Sequence, residues 1–435
     1  MQLIYLLAFG FGFCPVLCTI TDTFSLPHVN ATFHKSPKPF RIDVDRGFIE
    51  DTRQRVAHAR TPVFINVAGD GPSAENFTTV RNFWVNEYDW NATENSINEK
   101  LKQFTTVVEP VINNASLSVP LHFVHHRSPR KDAIPLLFIH GWPGSFLEVS
   151  NIIDGLTNPP NASVPAFHVV APSIPGFGFS PAPQKPGFGP IDAAHAFNEL
   201  MHQLGYSKYV IQGGDFGGVI LRYQAHLFPK QVVSVLSNFW IIQPAEHDIQ
   251  VFVEGKATPD EAAYLRIIQT YENHGSGYRL MQSTQPLTVA YAMTDSPLGN
   301  AMWMYSLMEN VIDPAITAWA PGEIITWSLM YYIQGPYSAM RFYKEVQDDG
   351  ALAGLDFGIL PLVNVPVAIS QFPYDITYRM PLEWAQRGGN VLKRVVHNRG
   401  GHFAAYEVPT LLLNDIWSWF GDKEASGTNV FNHSS

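Results

Sequence analysis

The sequence predicts an α/β fold with a mostly parallel sheet, a helical insertion over one sheet edge and an N-terminal extension. Three observations predict it. From residue 131 onward, short apolar runs alternate with helical patterns. Residues 240–350 interrupt that alternation with helical spacing rich in Tyr, Trp and Met. Residues 20–130 share neither character and carry several prolines and few long apolar runs.

Within the α/β part, Ile134 to His140 is an apolar run that ends at Gly-Trp-Pro-Gly, as a buried strand entering a turn does. Phe167 to Ala171, Tyr209 to Gln212, Val232 to Leu236, Val367 to Ser370 and Val391 to Val396 read as further buried strands. Apolar strands separated by helices imply parallel pairing with helices on both faces. In the extension, Trp84, Tyr88 and Trp90 with Leu101 and Phe104 predict a helical element with aromatic packing, and Leu121 to His126 alternates like a strand. The chain therefore divides into a leader at 1–18, an extension at 19–130, a core part at 131–239, a helical lid at 240–350 and a second core part at 351–435. No internal repeat or low-complexity tract is visible.

Composition narrows the function. The chain has 435 residues, 46% of them apolar and 13% aromatic, which is ample for a packed interior and an apolar pocket. Only 15% are charged, the net charge is −10, and no run of Lys or Arg occurs, so nucleic acid is not an expected partner. The first 18 residues are apolar and read as a cleaved secretory signal, although they lack an early Lys or Arg. A retained anchor in the endoplasmic reticulum is the alternative, against which Pro15 and the shortness of the run argue. Six glycosylation sequons, at Asn30, Asn76, Asn91, Asn114, Asn161 and Asn432, point to the secretory route and a secreted protein. Both cysteines, Cys14 and Cys18, lie in the leader. The mature chain would hold neither disulfide nor catalytic thiol.

Three motifs sit where strands end. Gly213-Gly-Asp-Phe-Gly217 follows the strand Tyr209 to Gln212 and opens a helix, the small-x-nucleophile-x-small pattern of a nucleophile elbow, with aspartate in the central place. Taken alone it reads more readily as a Gly-rich turn with Asp215 as a helix N-cap. His140-Gly-Trp-Pro-Gly-Ser-Phe-Leu-Glu148 follows an earlier strand. A turn at that place can supply one backbone N–H of an oxyanion hole and the residue after the nucleophile the other, here Trp142 and Phe216. A plain Pro-Gly turn is the simpler reading of that motif alone. Arg399-Gly-Gly-His-Phe403 follows the last strand, where the base of a nucleophile–acid–histidine order belongs. The acid that supports His402 should follow the preceding strand, and Asp375 fits. Glu407 is its rival by proximity, and is expected instead to cap the helix that starts after Pro409.

Together the motifs resemble the microsomal-type epoxide hydrolase family, which has the α/β-hydrolase fold and includes fungal members. The resemblance spans nearly the whole mature chain. It is carried by Phe83 with Trp84, Tyr88 to Trp90, Leu121 to His126, Ser128 with Pro129, His140 to Phe146, Pro175 to Ser180, Gly213 to Gly217, Asp295 to Pro297 and Arg399 to Ala405. Residues 60–80 and the stretch Asn113 to Ser118 depart from it. The resemblance implies hydration of an apolar epoxide to a vicinal diol, without metal or cofactor. Asp215 would be the nucleophile, His402 the base, Asp375 its acid, and Tyr278 and Tyr343 the lid hydroxyls on the epoxide oxygen. A carboxylate suits this work: it gives an ester that water can cleave, where serine would give an ether. A haloalkane or haloacid dehalogenase shares the aspartate and histidine, but its nucleophile is often followed by Trp, whereas this chain has Phe216. A secreted binding protein on the same scaffold would lack a member of the triad, and none is missing.

Overall fold

The computed structural model describes residues 24–431 except 66, 68, 317 and 351–359. The predicted leader, with Cys14 and Cys18, and Asn432 lie outside the described residues.

Among the described residues eleven strands form in chain order: β1 (Lys38–Phe40), β2 (Gln103–Val108), β3 (Val111–Ile112), β4 (Ala115–Ser116), β5 (Val119–His126), β6 (Ile134–Ile139), β7 (Phe167–Pro172), β8 (Tyr209–Gly213), β9 (Val232–Ser237), β10 (Val363–Gln371) and β11 (Gly389–Val396). Nine of them make one sheet in the order β1-β2-β5-β7-β6-β8-β9-β10-β11. From β7 to β11 every neighbour is parallel, while β1, β2 and β5 add antiparallel pairs at the other edge. All five residues of β8 are buried, as a central strand covered on both faces requires. Helices Pro190–Gln203 and Phe216–Leu227 pack as one pair and Ile153–Thr157 with Pro409–Gly421 as another, where Gly155 lies against Leu413.

The extension differs from its sequence reading. The aromatic stretch around residue 84 is not one helix. Trp84 lies on the helix Ala74–Asn86, and Trp90 opens a second helix, Trp90–Lys100. The break is local: the Asp89 side chain accepts from Ala92 N and starts the second helix in place of continuing the first. Phe104 falls on β2. The stretch Asn113 to Ser118 is no plain loop, because Asn113 and Asn114 both take positive φ, 50° and 63°, and turn β3 back into β4.

Between β9 and β10 the described residues form seven α-helices: Glu246–Val253, Pro259–Thr270, Gly277–Thr284, Pro286–Asp295, Pro297–Met308, Pro321–Tyr332 and Tyr337–Asp348. Proline at the first helical turn and capping carboxylates, such as Glu261 at Thr258, mark several starts. The extension braces this helical layer. Tyr88 and Thr326 share a hydroxyl–hydroxyl bond of 2.9 Å, and Asn76 Nδ2 donates to Tyr305 Oη at 3.3 Å. Asn76 is thus half-buried with its amide engaged, unlike Asn30, Asn91, Asn114 and Asn161, which are exposed. The sequon at Asn76 does not present a free amide for glycan attachment.

Candidate active site

The turn after β8 places Asp215 at φ 49° and ψ −126°, a conformation L-residues rarely adopt. The next residues enter the helix Phe216–Leu227 at once. Glycine is obligatory beside this turn: a Cβ on Gly217 would sit 2.0 Å from Ile139 O. Asp215 stands at the N-cap position of that helix, but its side chain makes no capping bond. Its carboxylate instead points to the C-terminal edge of the sheet. Oδ1 accepts from Trp142 N at 2.8 Å, and the Phe216 N–H also donates to the carboxylate. The two amides anticipated from the sequence therefore converge on Asp215. Close approach explains Gly141, whose Cβ would lie 2.2 Å from Oδ1.

Asp215 Oδ2 faces His402 Nε2 at 3.7 Å, and His402 Nδ1 lies 2.6 Å from Asp375 Oδ2. Asp375 Oδ1 accepts from Thr377 N at 2.8 Å and Thr377 Oγ1 at 2.6 Å, which fixes the acid from behind. The loop that carries His402 is pinned by its own backbone, His402 N donating to Val311 O at 2.8 Å. Glu407 is not the partner of His402. Nor does it cap the helix Pro409–Gly421, whose N-cap has no side-chain bond. It accepts from Phe403 N at 3.0 Å and Asp313 N at 2.9 Å, because the short helix Ala404–Glu407 turns it inward beneath the histidine loop.

The charges are coupled. Burial raises the Asp215 carboxyl above its ordinary value, opposed by His402 and the two amides. Burial disfavours charge on His402, but the Asp375 hydrogen bond and the Asp375, Asp215 and Glu148 carboxylates outweigh it and hold the imidazole at about 9. At neutral pH the imidazole therefore holds its proton as it faces the Asp215 carboxyl.

Two lid side chains close the site from above. Tyr278, on Gly277–Thr284, stacks on Trp142 with ring centroids 5.3 Å apart, and Tyr343, on Tyr337–Asp348, packs edge-on against Phe216 at 4.6 Å. Tyr343 Oη is buried with no hydrogen-bond partner among the described residues. Burial, followed by the charge of Asp215 and neighbouring tyrosines, pushes both phenols well above their ordinary pKa, so each keeps its proton. The cavity between them and Asp215 is walled by Val219, Phe239, Ile241, Leu307, Val311 and Ile376. It meets a larger outer cleft at Tyr271, Tyr278, Leu307, Val311 and Ile376. Gly69, Asp70 and Gly71 also line that cleft.

Residues 37–149 match the family described as "Epoxide hydrolase N terminus", and residues 134–248 match the "alpha/beta hydrolase fold". Juvenile hormone epoxide hydrolase 2 of Ctenocephalides felis is 31% identical over 409 residues, covering 88% of this chain and 85% of that protein. The chain belongs to the epoxide hydrolase family. The crystal structure of juvenile hormone epoxide hydrolase from the silkworm Bombyx mori superposes with a TM-score of 0.79 at 25% identity, covering 91% of this chain and 96% of that one. Epoxide hydrolase from Aspergillus niger does so with 0.75 at 26%, covering 91% and 97%.

In this epoxide hydrolase several site residues were not singled out from the sequence. Glu148 lies mostly buried behind Gly144 and accepts from Gly141 N, and burial pushes its carboxyl up to about 8. Tyr331 Oη donates to the carbonyls of Gly144 and Gly141. Together they clamp the loop that aims the Trp142 amide. Glu148 belongs to the quoted motif, but nothing in its spacing tells where its side chain goes.

Proposed function

We propose that Asp215 opens the epoxide as a nucleophile and that the resulting ester is cleaved by water activated at His402. The observation that carries this reading is the division of labour between the two Asp215 oxygens. Oδ1 accepts from the Trp142 amide, while Oδ2 faces His402, and the Phe216 amide adds a second backbone donor to the carboxylate. Oδ2 attacks an epoxide carbon, the carbon–oxygen bond breaks, and the departing oxygen takes a proton from Tyr278 or Tyr343. The substrate is now an ester of Asp215, with Oδ1 as the ester carbonyl oxygen beside the Trp142 amide.

Ester formation also arms the base. It removes the Asp215 charge, one of the causes holding the His402 pKa up, so the imidazole gives up its proton more readily, and that proton restores the tyrosine that protonated the epoxide oxygen. Neutral His402, oriented by Asp375, then takes a proton from water as the water oxygen attacks Cγ of Asp215. The negative charge that builds on Oδ1 falls on the Trp142 and Phe216 amides, each donor of this kind being worth about 3 kcal/mol. Collapse expels the diol oxygen, which takes the proton from His402, and the Asp215 carboxyl passes its remaining water-derived proton to His402, restoring the carboxylate and the protonated imidazole. The substrate class that fits the cavity walls is an apolar epoxide.

The test is to trap the ester. In the variant His402→Gln, opening continues and ester cleavage stops, so intact mass after mixing with styrene oxide should rise by the mass of one epoxide, on the peptide that carries Asp215. An unmodified chain with substrate still consumed would contradict the reading. Entry into the secretory route belongs to the same proposal, supported by the exposed sequons at Asn30, Asn91, Asn114 and Asn161.

A further inference from the structure

The helix Pro259–Thr270 does not end in an ordinary cap. Its last turn widens into a π turn, Tyr271–Gly275, before Gly277–Thr284 begins. Such turns interrupt the regular ladder and recur at functional sites. Here the turn brings together two side chains seven residues apart: Tyr271 Oη lies 3.3 Å from Tyr278 Oη, and both rings line the substrate cavity. Behind Tyr271 stands a buried ion pair. Arg279 Nη2 binds both Glu272 oxygens, at 3.2 and 3.0 Å, and its side chain is only 6% exposed. The guanidinium carbon is 6.0 Å from the centre of the Tyr271 ring, and the guanidinium donates to the Tyr271 hydroxyl.

Donor and acceptor valence allows a chain in which Tyr271 is the donor to Tyr278. Arginine carries only donors, so Tyr271 Oη accepts from Arg279. The O–H of Tyr271 is then free for the neighbouring acceptor, Tyr278 Oη. A Tyr278 oxygen that accepts from Tyr271 turns its own proton away, toward the cavity over Asp215. Hydrogen bonds in such a chain polarise one another, and a cation at its end strengthens each one.

We infer that Tyr271 is a positioning residue for the lid acid: it donates to Tyr278, aims the Tyr278 proton at the epoxide oxygen and carries the influence of the Arg279–Glu272 pair to it. This rests on the reading that Tyr278 protonates the oxygen as Asp215 attacks. The inference asks more of the lid than two hydroxyls, because one of them is set by a third.

The test separates the two steps. Single-turnover mixing followed by rapid quench and intact mass reports the appearance and the loss of the Asp215 ester. In Tyr271→Phe, the ester should appear about tenfold more slowly with propylene oxide and be lost at close to the wild-type rate. The slowing should shrink to about twofold with trifluoromethyl oxirane, whose oxygen leaves more easily and needs less help from an acid. The pair Arg279→Met with Glu272→Gln removes the cation without leaving a lone buried carboxylate, and should slow ester appearance about threefold. Ester appearance unchanged or faster in Tyr271→Phe would overturn the inference, since Tyr271 would then only pack or would take the Tyr278 proton for itself. Equal slowing of both steps, or equal slowing for both epoxides, would overturn it too, as general disturbance of the lid. Absence of any ester in the wild-type protein would instead remove the reading beneath it.

Discussion

His402 Nδ1 lies 2.6 Å from Asp375 Oδ2, across 27 residues of sequence, while the nearer carboxylate of Glu407 turns away to two backbone amides. This choice of partner fixes which imidazole nitrogen faces Asp215. It also sets the first prediction. Asp375→Asn removes a cause that raises the His402 pKa, so the acid limb of ester cleavage should move to lower pH. The plateau rate should fall by about 10²–10⁴-fold, because the ring loses the partner that orients it. Glu407→Gln should leave the pH profile in place. The check is the pH dependence of ester loss in single turnover.

The lid hydroxyls should act on opening alone. Tyr343→Phe removes a buried hydroxyl that lacks a partner, so folding should be unharmed or slightly favoured, while ester formation slows by about 10²-fold. Tyr278→Phe should slow ester formation to a similar degree, with a small loss of stability from its bond to Tyr271, and the double variant should be almost inert toward simple epoxides. Melting temperature and ester appearance, measured on the same preparations, decide this.

A methyl group at Gly141 has no room beside Asp215 Oδ1. Gly141→Ala should therefore displace the carboxylate or the Trp142 amide and lower kcat/KM by about 10²-fold or more, given the sensitivity of such geometry to shifts of 1 Å. Circular dichroism should show the fold retained. Gly217→Ala should fail at an earlier stage, in expression, because its clash is with the backbone of β6.

Glu148 links the site to stability. Its folded-state pKa, about 8, is above the ordinary 4.5, so the folded protein holds a proton that the unfolded chain releases between these values. Stability is accordingly unaffected by this group below pH 4.5, falls as pH rises through the interval and levels above 8. The drop is on the order of 1–3 kcal/mol for a group that keeps some exposure. Glu148→Gln should flatten the decline of melting temperature between pH 5 and 8. An unchanged decline would show that Glu148 is already ionised at pH 5.

Glycan occupancy tests the exposure pattern. In a secretory host, enzymatic deglycosylation should shift peptides bearing Asn30, Asn91, Asn114 and Asn161 and leave Asn76 unmodified, since its amide is bound to Tyr305 and lies 3.4 Å from Glu309.

The residues that read well from sequence are those with local reasons for their identity. Asp215 announces itself because a turn that sharp admits only small residues around it, and His402 because it follows the last strand directly after Gly400 and Gly401. Asp375 follows from strand order, and the amides of Trp142 and Phe216 from the turns they occupy. Residues recruited over long distances did not read. Tyr331 reaches the loop at Gly144 from 187 positions away, and Tyr271 meets Tyr278 only because a helix widens into a π turn. Likewise β1 and β2 join the main sheet by antiparallel pairing, which a scan for parallel units passes over. Glu407 was misplaced because its short helix gives no apolar rhythm to say which way it faces.

The most direct measurement is a single turnover of styrene oxide in ¹⁸O-water, with enzyme in excess, followed by mass spectrometry of the diol and of the peptide bearing Asp215. The ester route predicts unlabelled diol and one ¹⁸O in the Asp215 carboxylate, because water attacks the enzyme's own carbonyl carbon. Labelled diol with an unlabelled Asp215 would mean direct attack of water on the epoxide and would contradict the nucleophilic role of Asp215.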